Sequence, residues 1–252
     1  MFEVKNFPEN KAAKVIEELG PFKIVEYQKD LSVSPMAAQE MFFRSEMNVR
    51  KKQVVCNIDH SNITLQAGAM QWTVGDVKSV TGVKGVSDFL GKMARSTVTG
   101  ETVVKPEYTG TGLLTLEPTY KHILLVDLAD WNGSIVLDDG LFLACESSLK
   151  HKLVTRTNLS SAVAGGKGLF NLSIQGSGIL CLESPVPKEE LIEIQLTNDT
   201  LKVDGNLVIA WSQSLEFTVE RSGTSLIGSA ASGEGLVNVY RGTGRIWMAS
   251  LN

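Results

Sequence analysis

A glycine signature returns along this chain at a fixed interval, and that recurrence constrains the fold more than any other feature of the sequence. Gly110-Thr111-Gly112-Leu113-Leu114-Thr115-Leu116-Glu117 is followed by Gly176-Ser177-Gly178-Ile179-Leu180-Cys181-Leu182-Glu183, and then by Gly242-Thr243-Gly244-Arg245-Ile246-Trp247-Met248. The step from Gly112 to Gly178 is 66 residues, and the step from Gly178 to Gly244 is 66 again. Laid over residues 176–215 without a gap, residues 110–149 share 12 identities in 40 positions, among them Leu116, Glu117, Asn132, Asp138 and Leu149. Self-similarity at one period is the mark of a repeated structural unit. A second signature precedes each Gly-x-Gly: Gly100-Glu101-Thr102, Gly166-Lys167-Gly168 and Gly233-Glu234-Gly235. A fainter first copy shows in Ile63-Thr64-Leu65-Gln66-Ala67-Gly68-Ala69-Met70, aligned with the stretches beginning at Ile135 and Leu201.

Within one period, short apolar or alternating runs such as Leu113 to Leu116, Ile123 to Leu128, Ile135 to Leu137 and Leu141 to Leu143 are separated by Pro118, Asn132-Gly133 and Asp139-Gly140. Short runs divided by Asn-Gly and Asp-Gly turns are an antiparallel β pattern. The expected fold is therefore all-β: three tandem β-sandwich repeats of the double-stranded β-helix type, preceded by an amphipathic helix. That helix is read at residues 8–21, where Ala12, Val15, Ile16 and Leu19 share one helical face and Gly20-Pro21 closes the segment. The expected divisions are 1–40 for the helix and a lead-in strand, then repeats over 41–111, 112–177 and 178–252. Val86, Phe89, Leu90 and Met93 suggest a second short helix at Ser87 to Arg95. Arg245 to Ser250 repeat an opening strand with no fourth copy behind it, so this strand is expected to pair back onto the first repeat or across a subunit boundary.

Composition narrows the function classes. The chain has 252 residues, 43% of them hydrophobic, with 24 Lys+Arg against 28 Asp+Glu. It is too apolar for disorder and has no uncharged apolar run near the ~18 residues of a spanning helix. The slight acidic surplus supplies no field to gather nucleic acid. Cys56, Cys145 and Cys181 lie far apart in apolar stretches, as buried reduced thiols do. Met1 to Asn6 carry an acid and no apolar core, so the expected location is cytoplasmic.

The paired glycine signatures, Gln66-Ala67-Gly68-Ala69-Met70, and the run from Ser232-Gly233-Glu234-Gly235 to Gly244-Arg245-Ile246-Trp247 together resemble the altered-inheritance-of-mitochondria, or mitochondrial-biogenesis, family over residues 40–250. The resemblance implies three repeats per chain, each like a subunit of the tryptophan-responsive RNA-binding attenuation protein, assembled as a homotrimeric ring. It implies no catalytic residues.

No chemistry-bearing constellation stands out. His60, His122 and His151 are not spaced as a metal set, and no Gly-x-Ser-x-Gly elbow occurs. Gly165-Gly166-Lys167-Gly168 lacks the first glycine and the final hydroxyl of a phosphate loop, and Gly110-x-Gly112 lacks the third glycine of a dinucleotide site. No catalytic, metal or cofactor residue is therefore expected. Glu101, Lys167 and Glu234 occupy one slot of the repeat and would form a polar rim on a ring. Arg50-Lys51-Lys52 is the one dense basic run, and Trp72, Trp131, Trp211 and Trp247 sit in apolar strands where packing is expected. The expectation is a non-enzymatic ring that acts as scaffold or holds a small ligand. The alternatives are an RNA-binding ring and an enzyme with an unrecognised pocket.

Overall fold

The computed structural model describes residues 2–59, 61–80, 105–155, 170–221 and 236–249. Among the described residues the fold is mostly β with one α-helix, in the order β1 (Ala13–Leu19), β2 (Phe22–Tyr27), α1 (Ala38–Glu46), β3 (Lys52–Asn57), β4 (Ile63–Leu65), β5 (Met70–Val80), β6 (Glu107–Leu116), β7 (His122–Asp127), β8 (Ser134–Leu137), β9 (Phe142–Glu146), β10 (Lys150–Thr155), β11 (Phe170–Gln175), β12 (Ile179–Ser184), β13 (Ile192–Asp204), β14 (Val208–Ser212), β15 (Glu216–Arg221) and β16 (Leu236–Met248). The strands gather in two sheets. One runs β1-β2-β3-β6-β4-β9-β12-β7 with β5 added to β6, and the other runs β10-β11-β8-β14-β16-β13 with β15 added to β16.

Side-chain alternation explains why some strands read as unbroken apolar runs. In β7, Leu124 and Val126 enter one core while Ile123 and Leu125 enter a second. In β12, Leu180 and Leu182 join the first and Ile179 and Cys181 the second. Successive residues of a strand face opposite sides, so a strand packed on both faces has no polar side. The first core lies between the sheets and includes Trp131, Ile135 and Ile174 as well as Trp247.

Gly110, Gly176 and Gly242 have φ of +116°, +129° and +119°. The asparagine and aspartate turns also form: Asn132 and Gly133 have φ of +52° and +76°, and Gly140 has +79°.

Two expectations fail. Residues 13–19 form β1, not a helix, because Gly20 (φ +57°) and Pro21 make a hairpin turn that pairs Leu19 with Phe22 and Ala13 with Tyr27. An isolated helix of this length is marginal, whereas the strand gains a ladder on the edge of a large sheet. A register shift between Val15 and Glu17 leaves Ile16 exposed, which accounts for the helix-like spacing. The α-helix among the described residues is instead α1, within a segment of residues 37–46 rich in helix formers and carrying an i,i+4 Glu40–Arg44 pair. The second failure is the closing strand. Arg245 to Met248 pair with β13 on one side and β14 on the other, so neither the first repeat nor another subunit is needed to cover them. The helix expected at Ser87 to Arg95 lies outside the described residues.

Candidate functional site

Strands β2 and β3 are antiparallel neighbours joined through α1, and their register sets Glu26 opposite Lys52. Both side chains are buried, Lys52 to 4% exposure, and Lys52 Nζ lies 3.7 Å from Glu26 Oε2. Arg50 completes the cluster. Its Nη1 donates to Glu26 Oε1 and to Gln28 Oε1, each at 3.2 Å, and its Nε donates to the Ser45 carbonyl at 3.1 Å, which ties the end of α1 to the sheet. Burial lowers the Lys52 ammonium from its ordinary value, and Glu26 opposes that shift.

This cluster yields a contrast. A buried cation stripped of its counter-charge is costly, whereas loss of Lys52 leaves Glu26 still paired with the Arg50 guanidinium. Glu26→Gln is expected to lower stability by about 2 kcal/mol, and Lys52→Met to lie within about 1 kcal/mol of the parent, by denaturant unfolding. Equal losses in the two variants would refute that reading of the pair.

On the opposite face of β2, the Tyr27 hydroxyl donates to Gln53 Oε1 at 2.6 Å, and Gln53 Nε2 donates to Gln71 Oε1 at 2.7 Å and to the Leu116 carbonyl at 2.8 Å. Burial raises the Tyr27 phenol above its ordinary range, against the pull of Lys51.

Helix α1 rests loosely over this region and buries none of its residues completely. Beneath it opens a cleft of about 500 Å³, lined by the apolar Val33, Met41, Phe42 and Val49, the basic Lys29, Arg50 and Lys51, and the acidic Asp30 and Glu46. A second cleft of about 470 Å³ adjoins it and shares Tyr27, Lys29, Asp30 and Lys51. Lys51 Nζ stands 3.4 Å from Asp30 Oδ2 and 5.8 Å from the centre of the Tyr120 ring.

The basic run singled out in the sequence is therefore only partly a surface feature. Arg50 and Lys52 share Glu26, and Lys51 meets Asp30. What pattern reading missed is the acidic side of the cluster, Glu26, whose one signal is its place at the end of the apolar run Phe22 to Tyr27.

The remaining candidates scatter. Glu101, Lys167, Glu234, His60 and residues 165–168 lie outside the described residues. His122 is on β7 and His151 on β10, in different sheets. Among the described residues no group of three His, Cys, Asp or Glu side chains is placed to hold a metal ion. Cys56, Cys145 and Cys181 are buried and free of disulfides. Burial pushes the Cys145 thiol up to about 12 and raises Cys56 and Cys181 as well. Trp131, Trp211 and Trp247 are buried, and Trp72 packs edge-on to Phe7 at 5.4 Å.

Cys145 Sγ lies 3.3 Å from His151 Nε2, whose ring also stands edge-on to Phe142 at 5.5 Å. Burial, with Lys105 adding to it, brings the His151 ring down to about 4 from its ordinary 6.5. This is a thiol beside a neutral ring, not a thiolate–imidazolium pair. The folded chain thus declines a proton that the unfolded chain binds. The contribution is harmless above pH 6.5, and stability is lost as pH falls from 6.5 toward 4. The melting temperature of the parent is expected to fall across that window more steeply than that of His151→Asn. Parallel curves would clear His151 of the effect.

Three comparisons bear on this architecture. The model of the family described as mitochondrial biogenesis AIM24 matches residues 43–251. An uncharacterized protein of Streptococcus pyogenes serotype M6 is 31% identical over 228 residues, covering 87% of this chain and 89% of its own. A crystal structure of a Streptococcus pyogenes protein superposes with a TM-score of 0.59 at 28% identity, over 82% of this chain and 90% of that one. Among the described residues no helix is long and apolar enough to cross a membrane.

Proposed function

Since the chain belongs to the mitochondrial biogenesis AIM24 family, we propose that it is a non-enzymatic, self-assembling β protein that holds a small ligand beside its N-terminal hairpin. The cleft of about 500 Å³ beneath α1 carries this reading, because its size falls in the ~300–1,000 Å³ range of small-molecule sites and it joins apolar walls to a few convergent polar groups. Three of the ionisable groups that line it are engaged, Arg50 with Glu26, Lys51 with Asp30 and Tyr27 with Gln53. Such mutual engagement suits a rigid binding wall better than a nucleophile or general base awaiting substrate.

Assembly as a homotrimeric ring of triplicated units is the second part of the reading. Its support is the 66-residue period with its matching glycine conformations, together with β13, a strand of 13 residues whose outer edge has no strand partner among the described residues. Exposed strand edges invite pairing with a further chain, and closed symmetry satisfies them. An RNA-binding ring is less well supported, since Arg50 and Lys52 spend their charge on Glu26 and three of the tryptophans are buried.

Native mass spectrometry of gently purified protein tests both parts. The expected result is a species near three times the 27.3 kDa chain, with adduct mass that is lost on denaturation. A bare 27.3 kDa monomer would overturn them.

A further inference from the structure

We propose that the cleft beneath α1 takes a free, single-chain amphiphile with an anionic head, of the fatty-acid class. The inference rests on the ligand-binding reading above and names the ligand's chemistry. Three observations carry it.

The first is the mixed lining. Val33, Met41, Phe42 and Val49 supply apolar surface, and Lys29, Arg50 and Lys51 supply cations beside the carboxylates of Asp30 and Glu46. A purely polar metabolite would leave the apolar wall dry and unmatched, and a hydrocarbon would strip the cations of water with nothing in return.

The second is the state of the cations. Lys29 is exposed and its ammonium has no ion-pair or hydrogen-bond partner among the described residues. Arg50 spends Nε and Nη1 on Ser45, Glu26 and Gln28, which leaves Nη2 without a partner among the described residues. The Asp30 carboxylate that approaches Lys51 is already held by Ser32, whose N–H and hydroxyl both donate to Oδ1 at 3.1 and 2.9 Å. Lys29 and the Nη2 of Arg50 are therefore the donors left open to a ligand in a cleft that Asp30 and Glu46 also line. A carboxylate placed among these donors makes charge-assisted bonds that a neutral head does not.

The third is the apolar surface exposed on and beside α1. Met36 is 96% exposed, Met47 77% and Phe42 60%, so the segment around α1 leaves large apolar groups in water. Methionines adapt to flexible chains without a fixed packing partner. Phe42 is both exposed and part of the cleft lining, so apolar surface there is open to a ligand.

The test uses the full chain labelled with 13C at the methionine methyls and titrated with dodecanoate kept below its micelle concentration. The expected result is a saturable shift of the Met41 methyl, with Met248 unmoved, and binding at least about tenfold tighter than that of dodecanol or dodecyltrimethylammonium. Lys29→Gln/Lys51→Gln is expected to weaken dodecanoate about tenfold and leave dodecanol unchanged. Equal binding of acid and alcohol would overturn the anionic-head assignment. Association with phosphatidylglycerol vesicles that monomeric dodecanoate does not displace would also overturn it, in favour of a bilayer surface. If native mass spectrometry detects a retained ligand that dodecanoate fails to displace, this inference falls and the ligand-binding reading stands. If no ligand is retained and Met41 is silent to every amphiphile, both fall.

Discussion

Trp131→Ala is expected to lower unfolding free energy by about 3–5 kcal/mol and the melting temperature by roughly 10 °C. Trp131 sits in the short 3-10 turn Leu128–Trp131 that carries the chain from β7 in one sheet to β8 in the other. Its ring is buried and stands edge-on to Trp247 of β16 at 4.9 Å, and the Arg245 guanidinium lies 5.6 Å from its centre. Truncation removes the edge-to-face pair and leaves a void between sheets that are held apart by the strands around it, so the site collapses poorly. Trp131→Phe keeps part of the volume and is expected to lose less than half as much. Urea unfolding checks both, and a loss below about 1 kcal/mol for alanine would refute the account of the inter-sheet core.

The second large effect concerns β5 and β6. Their ladder sets Gly75 opposite Gly112 and Val77 opposite Gly110. Gly112 has φ of +139°, and a Cβ built there would stand 2.0 Å from the Val74 carbonyl oxygen. At Gly110, with φ of +116°, a Cβ would stand 2.0 Å from the Asp76 carbonyl oxygen. Both obstacles are backbone, so no rotamer change relieves them, and the φ itself is strained for any L side chain. Gly112→Ala is expected to cost more than about 3 kcal/mol and to speed amide exchange along β5 and β6. Gly140 serves as the control, because a Cβ there meets nothing within 4 Å and only the φ of +79° opposes it. Gly140→Ala should cost about 1 kcal/mol. Similar losses at the two positions would mean that the close approach of β5 and β6 does not constrain the fold.

Turn chemistry and apolar runs are local properties, legible in the residues alone. Asn132-Gly133 and Asp139-Gly140 take positive φ, and Ile123 to Val126 form a strand packed on both faces. The segment at residues 12–19 shows the limit of that reading. Its apolar spacing fits a helix, and its Gly20-Pro21 ending fits either a helix stop or a hairpin turn. Its state is decided by whether a partner strand is available, and β2 is. A helix satisfies its own backbone groups, but a strand depends on a neighbour that periodicity does not describe.

The cleft was illegible for the same reason. Arg50, Lys51 and Lys52 announce themselves as a basic run, but Glu26 and Asp30 reach them from more than 20 residues away, and only the β2–β3 register brings those charges together.

The sequence by itself determined the β class, the 66-residue period, the turn positions and the burial of the three cysteines, because these follow from backbone preference and side-chain polarity along one stretch of chain. Tertiary structure alone decided that the N-terminal segment is a hairpin, that the closing strand lies between β13 and β14, and that a mixed apolar and basic cleft opens under α1. Each of those outcomes is a choice among pairings between distant segments, and a pairing is fixed by which edges and charges remain unsatisfied once the rest of the chain has packed.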